Sequence, residues 1–177
     1  MLVDETGTAV SATAVTHTVV TTPLGPTTLV AHDGRLSALL MPSSKYAEVQ
    51  GPFGERDDDG FGEVRTQLDE YFAGRRTAFD LPLALVGTPF QVRVWEGLLA
   101  IPYGQTWSYG QVAESIGLDP RTSSRAVGAA NGRNRIAVVV PCHRVIGANG
   151  TLTGFAAGLD RKRFLLELEE GTPDLLF

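Results

Sequence analysis

The run Ile136-Ala137-Val138-Val139-Val140 breaks off in Pro141-Cys142-His143-Arg144 and resumes as Val145-Ile146 before Gly147. Apolar, mostly β-branched residues in succession suit a strand buried on both faces, so the sequence predicts one over 136–140. Pro141 has no N–H to give a ladder, and that strand must stop or bulge there. The residue displayed at the break is Cys142, the single cysteine of the 177-residue chain. One cysteine excludes an internal disulfide and a Cys-rich zinc site, and fits a reducing cytoplasm. On its own, a lone cysteine is more often a small buried hydrophobe than a nucleophile. A thiol of pKa roughly 8.5 needs a proton acceptor close by to react at neutral pH. His143 is next in sequence.

The rest of the chain divides into two halves around that segment. Residues 1–16, rich in Thr, Ala, Ser and Gly, are expected to be a disordered tail. From 17 to 80 an α/β scaffold domain is predicted. Its antiparallel meander runs Thr18–Thr22, Thr27–Ala31 and Leu36–Met41, punctuated by Pro23-Leu24-Gly25-Pro26 and His32-Asp33-Gly34. Residues 42–60 read as a mobile loop. Phe61, Val64, Leu68 and Tyr71/Phe72 then recur at helical spacing, as a helix covering the sheet requires. After a linker at 81–88, Thr88 caps a helix with Pro89 in its first turn and a stripe of Phe90, Val94, Leu98 and Ile101. Ser108 caps a second helix over Tyr109–Ile116, which Gly117 stops, and Thr122 caps a third that runs to about Ala130. Two short helices on a tight turn form a helix-turn-helix. The C-terminal domain, 89–170, is therefore mainly α and carries the cysteine; 171–177 is a second tail.

Charge follows the same division. Residues 1–88 hold 6 Lys/Arg against 12 Asp/Glu, and 165–177 hold 4 acidic residues and no basic one. Residues 89–164 hold 9 against 4, a basic segment inside a chain of net charge −5. That is the local footprint a polyanion would need. The third helix, Ser123-Ser124-Arg125-Ala126-Val127-Gly128-Ala129-Ala130, has little side-chain bulk beyond one arginine. A major-groove reader carries several long polar side chains. A smooth helix with one projecting cation instead suits close approach to a minor groove, where sequence is hardly read.

Pro141-Cys142-His143-Arg144-Val145 resembles the acceptor motif of the O6-alkylguanine-DNA alkyltransferases. The resemblance extends over about 88–170 and includes Ile101-Pro102-Tyr103-Gly104, Ser108-Tyr109-Gly110-Gln111-Val112-Ala113, Ser124-Arg125-Ala126-Val127-Gly128, Asn131-Gly132-Arg133-Asn134, Leu152-Thr153-Gly154-Phe155 and the segment from Arg161 to Glu169. It implies a DNA-repair methyltransferase that flips an O6-alkylguanine, and also O4-alkylthymine, out of the duplex and moves the alkyl group irreversibly to Cys142. In that reading His143 takes the thiol proton through a water, Glu169 holds His143, Asn134 fixes the active-site turn, and Tyr109 donates to the departing guanine. Arg125 fills the space the base leaves, with Ser124, Ala126, Gly128 and Tyr109 on the DNA face. Main-chain groups of Cys142 and Val145 read the guanine edge, and Val145, Arg144, Phe155 and Ala156 form the substrate pocket.

The resemblance has departures. Arg135 stands where the family usually has proline, Phe155-Ala156-Ala157 replaces a run more often Tyr with Ser or Gly, and extra residues occur around Leu118–Arg121. No metal and no cofactor are expected, because only His17 and His32 are available in the N-terminal half, where some family members bind zinc. The partner is double-stranded DNA bound through the minor groove with little sequence preference. A monomer is expected, with no membrane contact and a cytoplasmic location, since no apolar run reaches the ~20 residues of a span and the acidic N-terminus lacks a signal peptide's basic region. Two competing classes are a non-catalytic lesion binder, whose known examples lack the cysteine, and a cysteine hydrolase built on Cys142, His143 and Glu169.

Overall fold

The computed structural model describes residues 14–42 and 53–171. Strands β1 (Val15–Thr22), β2 (Gly25–His32) and β3 (Arg35–Leu40) form the expected antiparallel meander. Asp33 and Gly34, at φ 48° and 76°, make the tight turn between β2 and β3. β1 begins two residues earlier than the tail assignment allowed, because Val15 and Thr16 pair with His32 and Ala31. The first 13 residues of that expected tail, most of the expected loop (43–52) and residues 172–177 lie outside the described residues. The end of the loop is ordered by pairing: Glu55–Arg56, β4, lies parallel to β1 at the sheet edge. Two residues without apolar alternation gave the sequence no strand signal.

Helix α1 (Gly62–Phe72) covers one sheet face, burying Phe61, Leu68 and Tyr71 against Leu29, Leu36 and Leu39. The other face holds a small cluster of Val30, Ala38 and Leu40 with Val15 and Phe53. Beyond the extended linker comes α2 (Pro89–Leu98), capped as expected by Thr88, with Gln91 completing a capping box. Its buried face is Val94, Trp95 and Leu98; Phe90 is 37% exposed and does not belong to it. Trp95 takes that place, its Nε1–H donating to the Ala130 carbonyl at 2.9 Å.

The helix-turn-helix consists of α3 (Tyr109–Ser115) and α4 (Pro120–Asn131). Ser108 caps α3 in a second capping box, with Gln111. Gly117 supplies the left-handed turn (φ 79°) that a side chain would resist. The cap of α4 is Asp119, not Thr122: its carboxylate accepts from Arg121 N at 2.9 Å, and Pro120 occupies the first helical position. A β-carbon on Gly110 would sit 3.2 Å from Pro120 Cβ, so the two helices meet where one has no side chain.

The predicted strand over 136–140 is absent. Ile136 makes a single bridge with Leu39, and the chain then folds through turns with Val138 at φ 72°. A β-branched residue in the left-handed region is strained. Burial holds it there: Ile136, Val138, Val139 and Val140 are all buried in the same core as the sheet and helices. The apolar run is interior as its composition implies, but it forms no regular ladder. After it comes a 3₁₀ turn, Cys142–Arg144, and then β6 (Val145–Ile146), which pairs parallel with β5 (Trp107–Ser108). β5 runs straight into α3, so this two-residue ladder ties the cysteine turn to the helix-turn-helix. Helix α5 (Leu159–Glu170) closes the domain and ends at Gly171.

Candidate active site

Cys142 is buried, 4% exposed, and the Asn134 side chain hydrogen-bonds its thiol. Asn134 is itself fixed at both ends of its amide: Nδ2 donates to Val140 O at 2.8 Å, and Oδ1 accepts from Ile136 N at 3.0 Å. It staples the strained 134–140 loop so that the loop delivers Cys142 in one place. Burial pushes the thiol pKa up, opposed by the Asn134 hydrogen bond and by the nearby Lys162 charge. The resting sulfur is therefore a thiol, not a thiolate.

His143 and Glu169 meet as expected. His143 Nε2 lies 2.7 Å from Glu169 Oε1, and both side chains are almost fully buried. Burial alone would raise the Glu169 pKa, but hydrogen bonds and charge from His143 and Arg144 outweigh it and pull the carboxyl down to about 2. An ionised carboxylate only accepts, so Nε2 carries the proton and Nδ1 keeps its lone pair. Nδ1 is buried and has no hydrogen-bond partner among the described residues. Burial also lowers the His143 pKa, more than Glu169 raises it. The imidazole is neutral at pH 7 and has one free basic nitrogen. The Cys142 thiol and the His143 imidazole ring make no direct hydrogen bond.

Three residues of this site escaped the sequence reading, or were misplaced by it. Arg144 does not line the cavity at Cys142. It turns inward, donating from Nε to Glu169 Oε2 at 2.8 Å, from Nη2 to Oε1 at 2.9 Å, and from Nη1 to Ile101 O at 2.7 Å. Tyr71, on α1 of the N-terminal half, donates to Glu169 Oε1 at 2.7 Å and is fully buried. Lys162 has no exposed surface; its ammonium donates to the carbonyls of Val145 and of Thr153, the latter at 2.7 Å. Burial brings its pKa down to about 8, with the Cys142 charge acting the other way. Lys162 thus clamps the turn after the cysteine to the loop before α5 and places a cation near the sulfur. Arg144 and Lys162 also shrink the basic footprint, since two of its nine cations face the interior.

A narrow cavity opens beside Cys142. Asn131 and Asn134 line it from one side and Phe155, Ala156 and Ala157 from another, with Met41 contributed by the sheet half. A second opening lined by Gly128, Arg133, Phe155 and Ala156 continues it toward α4. Val145 is fully buried behind the turn. Tyr109 is half-buried, and its hydroxyl reaches Thr153 Oγ1 at 3.1 Å across the cavity-side loop. On α4, Arg125 and Ala126 are exposed and Gly128 is half-buried. The Ser124 hydroxyl turns back to the Pro120 carbonyl. Among the described residues no group of His, Cys, Asp and Glu is arranged to hold a metal, and no helix is long and apolar enough to cross a membrane.

Residues 15–85 match the ribonuclease-like domain of 6-O-methylguanine DNA methyltransferase, and residues 89–171 match that enzyme's DNA-binding domain. The chain belongs to the 6-O-methylguanine DNA methyltransferase family. The methylated-DNA–protein-cysteine methyltransferase of Mycobacterium tuberculosis is 51% identical over 148 residues, which span 84% of this chain and 88% of that protein. That of Methanosarcina acetivorans is also 51% identical over 148 residues, 83% of this chain and 93% of that one. The crystal structure of M. tuberculosis OGT in complex with DNA superposes with a TM-score of 0.83 at 46% identity, covering 90% of this chain and 96% of that one. This methyltransferase family membership embraces both halves, the sheet with α1 as well as the helix-turn-helix with the cysteine.

Proposed function

We propose that this chain repairs DNA by moving the alkyl group of an O6-alkylguanine, and of O4-alkylthymine, onto Cys142 in a single irreversible step. The observation that carries the reading is a buried thiol in a cavity that opens beside α4, next to a neutral histidine whose proton-bearing nitrogen is held by an ionised glutamate. A target inside a base stack cannot reach such a sulfur, so the nucleotide must leave the duplex, at a cost of a few kcal/mol. Exposed Arg125 on the smooth face of α4 fills the space left behind, with Ala126 and Gly128 allowing the minor groove to approach.

Once the base occupies the cavity, the thiol proton passes to His143 Nδ1 through a bridging water. Glu169 stabilises the imidazolium, and Lys162 offsets the charge on sulfur. The thiolate attacks the alkyl carbon; the S–C bond forms as the C–O6 bond breaks, and its electron pair moves to O6. Tyr109 donates to the departing guanine as charge builds there. The proton taken from sulfur balances the one the guanine gains. The product is a thioether, and displacing thiolate from an unactivated carbon needs assistance that no second cysteine offers.

The test is a count. With excess duplex bearing O6-methylguanine, methyl groups transferred should plateau at one per protein, on the peptide containing Cys142, and Cys142→Ser should transfer none. Turnover beyond one equivalent would point to a hydrolase; lesion binding without transfer would point to a sensor.

A further inference from the structure

One polar group in the cavity has no task in the mechanism above. Asn131, the last residue of α4, is 2% exposed and lines the cavity that holds Cys142. Its Oδ1 is buried and has no hydrogen-bond partner among the described residues. Its neighbour Asn134 has both ends of its amide engaged by the protein. Met41, Ala137, Phe155 and Ala157 line the same cavity with apolar side chains. A buried amide oxygen left unpaired is costly, and it persists where a ligand completes it.

Resting on the alkyl-transfer reading, we infer that Asn131 selects the adduct: its Oδ1 accepts a hydrogen bond from O6-alkyl groups that carry a donor, such as 2-hydroxyethyl, and discriminates against purely apolar chains of the same size. The reacting carbon is the same in both cases. Sulfur bonds to it, its bond to O6 breaks with the electron pair going to oxygen, and the thiol proton follows the route already described. Only the distal end of the adduct differs. A 2-hydroxyethyl group satisfies the amide, whereas an n-propyl group fills the same volume and leaves it unpaired. One neutral hydrogen bond to a buried group corresponds to about tenfold in rate.

Single-turnover rates would be measured on identical duplexes carrying O6-methyl-, O6-(2-hydroxyethyl)- or O6-n-propylguanine, with the full chain, Asn131→Leu and Asn131→Ala. The unsubstituted protein should process hydroxyethyl about tenfold faster than propyl, and both variants should bring that ratio close to one. No transfer from the methyl duplex would sink the alkyl-transfer reading itself. Methyl transfer with a hydroxyethyl-to-propyl ratio near one would overturn the assignment to Asn131 alone. A ratio that survives in the variants, with all three substrates slowed equally, would show that Asn131 contacts the base or supports the turn, and would also overturn it. If neither variant folds, Asn131→Met, similar in length but without the amide, supplies the ratio instead.

Discussion

Replacing Glu169 by glutamine keeps the shape of the side chain and removes its charge. In the native protein that carboxylate is the common acceptor for His143, Arg144 and Tyr71, and its side chain is 1% exposed. Its pKa lies at about 2, against 4.5 for an unperturbed carboxyl. A carboxyl depressed on folding adds stability above its unfolded pKa and loses it as pH falls through the folded one. The interval between the two values corresponds to about 3 kcal/mol at pH 7. By pH 3 about 2 kcal/mol of this is gone, because the unfolded chain is then protonated at this site and the folded chain is not. Glutamine cannot accept from three donors and leaves the Arg144 guanidinium buried without its counter-charge, a loss of about 3 kcal/mol or more. Urea unfolding of the parent and Glu169→Gln, at pH 7 and again at pH 3, measures the difference. We expect a gap of about 3 kcal/mol at pH 7 that shrinks to about 1 kcal/mol at pH 3. Equal stabilities at pH 7, or a gap that pH leaves untouched, would refute the assignment of Glu169 as an ionised anchor.

Other expectations follow from the same contacts. Tyr71→Phe removes one hydrogen bond to a buried carboxylate and should cost about 2 kcal/mol in urea unfolding, with slower alkyl transfer, although the residue lies outside the helix-turn-helix half. Lys162→Met orphans the Val145 and Thr153 carbonyls and should destabilise by roughly 2 kcal/mol or more. The parent should also gain stability as pH rises from about 8 towards 10.5, where the unfolded chain holds a proton the folded one has released, whereas the Met variant should show no such rise in denaturation curves. Arg125→Ala should slow transfer from duplex DNA far more than reaction with free O6-alkylguanine, since the free base needs no extrusion; equal losses would assign Arg125 to the fold. DNA affinity should fall steeply with salt and vary little among unmodified duplexes of one length, as titrations over a salt series would show.

The elements that announce themselves locally were legible in the chain. Thr88 and Ser108 sit three residues before a glutamine, and both form capping boxes. Asp33-Gly34 marks its hairpin. The meander was also readable, whereas only the family resemblance pointed to Glu169 as the partner of His143. What escaped depends on partners far away in sequence. Tyr71 reads as one more apolar position on α1, and its acceptor lies 98 residues later. Lys162 looks like the middle of a solvated Arg-Lys-Arg run, yet it falls on the same helical stripe as Leu165 and Glu169, a signal that periodicity could have supplied. The valine run failed for a different reason. Its composition reports burial correctly, but burial does not distinguish a ladder from a turn, and Val138 adopts a conformation its own preference opposes. Asp119 took the cap from Thr122 because Pro120 is well suited to the first helical turn.

The burial of Cys142 bears on how the molecule waits. If Cys142 reacts only once, as proposed above, each encounter with a peroxide or a stray electrophile would retire the protein unused. Such reagents attack thiolates at the surface, and this sulfur is neither exposed nor ionised at rest. Its reactivity is latent. In the proposed reaction it emerges when a base enters the cavity and completes the proton path to His143. On that proposal, the burial that requires a nucleotide to come inward also sets the shelf life of the protein that receives it.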